Sequence, residues 1–170
     1  MYDFDQQKSL GMQGEERLDS FFSRWYKIEE VPFELQKEGV DRFYIPKRGK
    51  VTFPRLVEYK TDFHHTGNVF LETHSVIRQG WPDVKGWLHT SKADWLLYFL
   101  TAYQTVLVID FAKLRKSARI WDNTCQHRDC KNKGYKSTGL LVPIPVLRLV
   151  SHAVFDVEYV ASKPRIAPHC

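Results

Sequence analysis

Two almost uninterrupted apolar runs, Asp94–Leu100 and Thr105–Asp110, constrain the fold of this chain more than any other feature. Both are largely apolar at odd and even positions alike. Successive side chains of a strand point to opposite faces, so these runs are predicted to be central strands of a sheet that is covered on both sides. A length of 170 residues suits one domain with a full hydrophobic core, spanning residues 1–170.

The remaining chain alternates between helical and extended patterns. Leu18, Phe21, Phe22 and Trp25 recur at three- and four-residue spacing, which predicts a helix over Ser9–Trp25 with one buried face. Further strands are predicted at Val31–Leu35, Val40–Ile45, Val51–Lys60, Asn68–Thr73 and Leu140–Ile144, helices at Pro82–Lys92, at Phe111–Ala118 and from Pro145, a loop at Asn123–Thr138, and mobile ends up to Lys8 and from Ser162. This order indicates an α/β or α+β domain.

Composition argues against export and membrane insertion. The apolar runs are too short to cross a bilayer, and the acidic N-terminus lacks the basic-then-apolar order of a secretory signal. A cytoplasmic protein without membrane contact is therefore expected. The chain has three cysteines, an odd number, and a cytoplasmic location disfavours disulfides, so no disulfide framework is expected.

The net charge of +5 is unevenly distributed. Residues 1–110 carry a small acidic excess, whereas residues 111–170 carry eleven Lys or Arg against four Asp or Glu. An enzyme that uses a metal ion on nucleic acid needs carboxylates for the ion and cations for the phosphates, which this division would supply. A solvated surface of uneven charge explains the same pattern equally well.

The segment around Gly49-Lys50 predicts a hairpin that brings two acids together. A turn centred there places Asp41 opposite Glu58, with Cβ atoms ~5 Å apart on one side of the sheet. Lys60 lies two residues beyond Glu58 and so points to that same side. Two facing carboxylates destabilise a sheet unless a cation neutralises them, and Mg²⁺ commonly binds one or two carboxylates with waters and phosphate oxygens. Together with a lysine, they indicate metal-assisted phosphodiester hydrolysis.

The first helix offers a further acid. At about 100° per residue, Glu15 lies about 70° from the centre of the predicted buried face and Glu16 about 170° from it. Glu15 is therefore expected to reach the sheet, and Glu16 to face solvent.

These residues together resemble the PD-(D/E)xK nuclease superfamily, which includes restriction endonucleases and Holliday-junction resolvases. The matching residues are Glu15 on the helix, Asp41 in Gly39-Val40-Asp41-Arg42, and Glu58-Tyr59-Lys60. Val40 replaces the proline of the name. The resemblance implies a restriction endonuclease-like αβββαβ core over about 9–118, a mixed sheet flanked by helices, with a basic C-terminal extension over about 119–170. It also implies that Asp41 and Glu58 bind Mg²⁺ (Mn²⁺ is the alternative ion), that Lys60 serves the attacking water, and that Glu15 supports the metal or Lys60.

A DNA endonuclease is the leading hypothesis, with DNA favoured over RNA. Cutting two strands would suit a homodimer, although no residue pattern indicates one. The alternatives are a surface ion pair of Asp41 and Glu58 with Arg42 or Lys60, and an inactive nuclease-fold module that only binds nucleic acid. Cys125-x-His127-x-x-Cys130 suggests zinc only weakly, because its other ligands, His152, His169 or Cys170, are distant.

Several further residues carry less specific signals than Glu15, Asp41, Glu58 and Lys60. His64, His65 and Glu72 flank the predicted site; the histidines are best explained as loop residues, and Glu72 is equally compatible with a metal ligand and a strand-end residue. The tryptophans Trp81, Trp87 and Trp95 are predicted to be core. Two basic runs are predicted to contact phosphates, with Tyr135 stacking on a base and Arg119 at the end of the run at 113–119; the residues are Lys113, Arg115, Lys116, Arg128, Lys131, Lys133 and Lys136. A solvated loop explains the run at 128–136 equally well.

Overall fold

The computed structural model describes residues 4–49 and 53–157, and for residues 4–8 only the backbone. Lys50 of the predicted turn and the end from Ser162 lie outside these residues. The elements are α1 (Phe4–Phe22), β1 (Tyr26–Glu30), α2 (Phe33–Lys37), β2 (Arg42–Pro46), β3 (Arg55–Asp62), β4 (Asn68–Ile77), β5 (Val84–Lys85), α3 (Trp87–Thr90), β6 (Trp95–Leu100), β7 (Thr105–Asp110), α4 (Phe111–Trp121), β8 (Gln126–Asn132), β9 (Tyr135–Pro143), α5 (Ile144–Val150) and β10 (Ala153–Asp156).

A six-stranded mixed sheet forms the centre of the fold, in the order β1-β2-β3-β6-β7-β10. β3 and β6 are parallel, and the other neighbours are antiparallel. Every residue from Leu96 to Leu100 and from Thr105 to Ile109 is buried, which confirms that these runs are central strands. The mixed α/β class with flanking helices is thereby confirmed.

Different layers cover the two faces of this sheet. On one face α1 packs through Leu18 and Phe22 against Tyr44, Val57 and Tyr59. On the other face α4, α5, α3 and a second sheet enclose a separate apolar cluster that includes Leu96, Tyr98 and Leu114. Side-chain alternation along β3 therefore assigns Val57 and Tyr59 to the α1 face and Glu58 and Lys60 to the opposite one.

The second sheet is antiparallel, has the order β5-β4-β9-β8, and was not expected from the sequence. Its strands β8 and β9 form a hairpin whose two-residue turn, Lys133-Gly134, uses a positive φ of 84° at the glycine. The predicted loop at Asn123–Thr138 is therefore wrong. Residues 126–156 supply β8 and β9 to this sheet and β10 to the large one, so this stretch is part of both sheets and not an addition to a core.

Other boundaries also differ from the sequence interpretation. The predicted strand Val31–Leu35 is wrong. Its last three residues belong to α2, and Pro32, which precedes them, has no N–H to give to a ladder. The predicted helix Pro82–Lys92 shortens to α3, preceded by β5. α1 ends before Trp25, which is 43% exposed, and Trp81 is 67% exposed, so neither belongs to the core. Trp87 and Trp95 are partly buried and pack against it.

Within the described residues, none of the helices combines the length and the apolar character that crossing a bilayer would require.

A close contact at Gly14 sets how near α1 lies to β3. A Cβ atom built on Gly14 would stand 2.4 Å from Thr61 Oγ1 and 2.8 Å from Thr61 Cγ2, whereas one on Gly11 would meet nothing within 4 Å. Threonine is branched at Cβ and cannot swing aside freely. Glycine at position 14 therefore lets the helix approach the end of β3.

Replacing this glycine should loosen that contact. We expect Gly14→Ala to lower the free energy of unfolding, because overpacking costs about 1–3 kcal/mol and outweighs the gain of about 1 kcal/mol in helix propensity. Gly11→Ala is the matched control and should raise it by about 0.5–1 kcal/mol. Urea denaturation of both variants checks this, and equal stabilisation by the two alanines would contradict it.

Candidate active site

Asp41 stands directly before β2 and Glu58 lies on β3, and the pairing of these two strands has the register that the sequence predicted. β2 and β3 pair from Tyr44↔Arg55 to Arg42↔Val57, so the next position brings Asp41 beside Glu58. The ladder ends there, because the chain before Asp41 turns away through α2. Beyond this point β3 continues without β2 as a neighbour.

The Asp41 carboxylate takes the place of a ladder partner where β2 ends. Its backbone N–H donates to Val57 O at 2.8 Å, and its Oδ2 accepts a hydrogen bond from the N–H of Tyr59 at 2.7 Å. These two bonds fix both the main chain and the side chain of Asp41. The half-buried carboxylate is thus held at the open end of the β2–β3 pair.

Glu58 is a buried carboxylate held by one amine. The residue is 1% exposed, and its Oε1 lies 2.5 Å from Lys60 Nζ. The Lys60 side chain is 34% exposed, so its ammonium group bridges a buried acid and the solvent. The ring of Trp87 lies 5.5 Å from Lys60 Nζ and supports this position.

The second oxygen of Glu58 lacks a partner. Oε2 is buried and accepts no hydrogen bond from the described residues. The hydroxyl of Ser91 donates to Gly39 O at 2.8 Å, and it also lies close enough to Glu58 to lower the pKa of that acid. A buried carboxylate oxygen without a donor costs free energy, and a bound cation would remove that cost.

Glu15 lies on the α1 face of the sheet, opposite Glu58 and Lys60, and it is connected to the site through Arg42. It is half-buried while Glu16 is exposed, as the helical positions predicted. Its Oε2 accepts from Arg42 Nη2 at 3.0 Å, and Asp19, one turn later on α1, accepts from Arg42 Nε at 3.1 Å. Arg42 therefore ties α1 to the start of β2, directly after Asp41.

Electrostatics connect the three acids through Asp41. Burial raises the pKa of Glu58, the charge of Lys60 opposes this rise, and the charge of Asp41 adds to it. Burial also raises the pKa of Glu15; the charge of Asp41 raises it further, and Arg42 opposes the rise. Asp41 is thus close enough to influence both of the other carboxylates.

The sequence analysis missed the residues that position this set. Tyr59 orients Asp41 through its N–H, and its hydroxyl donates to Asp19 Oδ1 at 2.7 Å. Arg42 was considered only as a neutralising cation. A usable signal was present, since Glu15 and Asp19 are four residues apart on one helix face and a pair of acids in that arrangement needs a cation.

A cleft opens beside Lys60, between the large sheet and the second sheet. Its volume is about 380 Å³. Lys60, Asp62 and Tyr98 line it from the large sheet, and Phe70 and Arg128 line it from the second sheet. His64 also lines it, whereas His65 packs on Tyr103.

The predicted phosphate-binding residues do not form one surface. Arg128 faces the cleft, but Lys131 and Lys136 are cross-strand partners on the opposite face of the β8–β9 hairpin, where Lys136 pairs with Asp129 at 2.7 Å. Lys133 lies in the turn, and Lys113 and Lys116 are exposed on α4.

Arg115 differs from the other predicted phosphate contacts. Its guanidinium donates to Leu88 O at 2.8 Å and to Ser91 O at 2.5 Å. These bonds hold the backbone next to Glu58. Arg115 therefore has a structural position in place of the predicted exposed one.

The other predicted metal ligands do not assemble. His127 and Cys130 lie on opposite faces of β8, His127 Nε2 contacts Asp122 O at 2.9 Å, and Cys170 is outside the described residues. Glu72 is on the second sheet beside Gly86. Across residues 4–49 and 53–157, no three His, Cys, Asp or Glu side chains form a metal-binding group. A cation beside Glu58 would therefore rest on Glu58, Asp41 and waters, which is a donor set that suits Mg²⁺.

Comparison with known proteins gives no match: no family model, no curated protein and no solved structure matches this chain.

Burial of Glu58 should make the protein less stable as pH rises. Because its pKa is raised in the folded state, the folded protein keeps a proton that the unfolded chain has already lost. The resulting cost is absent below about pH 4.5, grows as pH rises above that value, and is complete above the folded-state pKa. We expect Glu58→Gln to raise the free energy of unfolding by about 1–3 kcal/mol at pH 8 and by little at pH 4.

Urea denaturation between pH 4 and pH 8 measures this difference. Glu16→Gln, an exposed change on α1, is the control and should shift stability by less than about 0.5 kcal/mol. A Glu58→Gln protein less stable than the wild type at every pH would show that the carboxylate stabilises the fold.

Proposed function

We propose that this chain is a Mg²⁺-dependent nuclease that hydrolyses phosphodiester bonds of DNA with a water molecule as the nucleophile. One observation carries the proposal: a buried carboxylate, Glu58, has an oxygen without a partner among the described residues, next to a second carboxylate and an amine. Buried acids at such a cost are common in sites that bind cations or activate water.

Asp41 and Glu58 would hold the ion, with Mn²⁺ as the alternative to Mg²⁺. The bound ion would lower the pKa of water and offset negative charge on the phosphate. The hydrogen bond from Tyr59 N fixes the Asp41 carboxylate, so this ligand is oriented before the ion arrives. Glu15 would act through Arg42, by setting the position of the β2 end from which Asp41 projects.

Lys60 would serve the attacking water and the phosphate. Its ammonium contacts Glu58 on the buried side and lines the cleft on the other. From there it can hold a water by hydrogen bonding and stabilise charge that develops on the phosphate oxygens. Arg128, across the cleft, would contact an adjacent phosphate of the strand.

We also propose a restriction endonuclease-like arrangement. The order α1, β1, β2, β3 and then β6, parallel to β3, supports this through the resemblance stated above. The connection from β3 to β6 departs from αβββαβ, because it contains β4, β5 and a helix of four residues. A homodimer remains a prediction.

A nucleic-acid-binding module without catalysis is the second candidate. It is favoured by the finding that, among the described residues, no three His, Cys, Asp or Glu side chains already form a metal-binding group. It shares the cleft and Arg128 with the nuclease proposal, so only a catalytic assay separates the two.

Cleavage assays test the reaction. Incubated with plasmid, branched DNA and RNA, the wild-type protein should cut DNA with Mg²⁺ and not with EDTA. Lys60→Ala should lower the rate by about 10²–10⁴-fold, because positioned proton transfer and charge stabilisation are lost. Lys47→Ala, which removes an exposed lysine at the end of β2, should cut normally.

Three outcomes would contradict parts of the proposal. Unchanged cleavage by Lys60→Ala removes the role of that lysine, and cleavage of RNA alone removes DNA as the substrate. DNA binding without cleavage under any condition favours the binding module.

Metal binding can be measured without cleavage. Mg²⁺ at about 100 times its Kd should raise the free energy of unfolding of the wild type by about 2.7 kcal/mol. Asp41→Asn should abolish this shift because it removes one of two carboxylates, whereas Glu16→Gln should keep it. Chemical denaturation at several Mg²⁺ concentrations gives the values, and an equal shift in Asp41→Asn would place the ion elsewhere.

A further inference from the structure

A second cavity lies against the other face of the β8–β9 hairpin, away from the cleft beside Lys60. Its volume is about 430 Å³, and β4, β5, α3, α4 and β8 contribute to its wall. The nitrogen-bearing side chains that line it are Lys85, Arg115, Arg119, His74, His89 and His127.

The charge of this cavity is strongly one-sided. Asp122 is the single acidic residue among the described ones that line it, and its Oδ1 lies 3.6 Å from His127 Nε2. Arg115 is committed to two backbone carbonyls. Lys85 and Arg119 form no ion pair with any described residue, so their charges remain available.

The charges that line the cavity act together on His89. Burial lowers the pKa of His89, and the charges of Lys85, His74 and Arg115 lower it further, while Asp122 opposes them. Side chains from three separate elements, β4, β5 and α4, therefore place positive charge near His89 of α3. Such a surrounding disfavours a metal cation and favours an anion.

We propose that this cavity binds a phosphate group. A phosphate offers only acceptor oxygens, and lysine, arginine and histidine supply the matching donors. A cavity of about 430 Å³ is within the size range of small-ligand sites, so it can take a phosphomonoester as well as the free ion. Lys85 and Arg119 bind the phosphate oxygens, and the three histidines surround them.

Isothermal titration calorimetry of the full chain in EDTA tests the site. It measures the Kd of two probes, inorganic phosphate and adenosine 5′-monophosphate. Lys85→Gln/Arg119→Gln should weaken binding at least tenfold. Lys47→Gln/Arg48→Gln removes the same two charges from exposed positions outside the cavity and should change Kd less than twofold. Tighter binding of the monophosphate assigns a phosphomonoester, and equal binding assigns free phosphate.

A pH series followed by NMR adds a readout that lies inside the cavity, the imidazole of His89. Sulfate keeps its charge between pH 6 and pH 8, so tighter sulfate binding at pH 6 reports positive charge gained by the protein. The histidines of the cavity, His74, His89 and His127, lie with Lys85, Arg115, Arg119 and Asp122 in its wall. We expect Kd to fall several-fold from pH 8 to pH 6, and the His89 imidazole pKa, followed by NMR, to rise with sulfate.

Two results would overturn the proposal. One is no binding of either probe at millimolar concentration, and the other is equal weakening by the two double variants. Because the measurements omit Mg²⁺ and DNA, neither result bears on the nuclease proposal.

Discussion

The end of the β2–β3 ladder after the Arg42–Val57 pair is the constraint on which the candidate site depends. Because β2 stops there, Tyr59 has an N–H without a strand partner, and the Asp41 carboxylate accepts it at 2.7 Å. The freed end of β3 is also where α1 approaches, through Gly14 and Thr61. A single interruption of pairing therefore brings a carboxylate, a helix and a buried acid to one place.

Glu58 shows how such a site can be maintained at a cost to stability. Lys60 contacts one oxygen, and the charge of Arg115 lies near enough for the two groups to influence each other. Arg115 itself holds Leu88 O and Ser91 O, so one cation supports the backbone behind Glu58 and offsets its charge. Lys60 pairs with Glu58, as the ion-pair alternative expected. The acid of this pair is buried, however, and one of its oxygens has no hydrogen-bond partner among the described residues. An ion pair alone does not explain that arrangement, because a shorter or apolar side chain would avoid the cost.

How much of this could be predicted depended on the kind of signal in each segment. The register of Asp41 and Glu58 followed from the position of one turn, and β6 and β7 followed from apolar runs, since burial on both faces leaves a continuous pattern. The β8–β9 hairpin was missed because β8 is exposed at six of its seven positions, so no apolar alternation marks it. The segment Val31–Leu35 was wrongly predicted as a strand because its apolar residues surround Pro32, which directly precedes α2. Glu15 was correctly predicted to lie at the border of the buried face of α1. Its contact with Arg42 could not be predicted, because the sequence does not show which face of β2 meets α1.

The same missed hairpin changes the interpretation of the basic residues. Treated as a loop, Arg128, Lys131, Lys133 and Lys136 form one patch; as a strand pair, they divide between two faces and a turn. Arg128 joins Lys60 at the cleft, while His127, one residue earlier, lines the cavity with Arg119 and Lys85. Because successive residues of a strand point to opposite faces, one run of basic residues contributes to two surfaces of different chemistry. The basic part of the chain therefore contributes both to a wall of the candidate catalytic cleft and to the proposed anion site. Its basic residues do not form one continuous surface for nucleic acid.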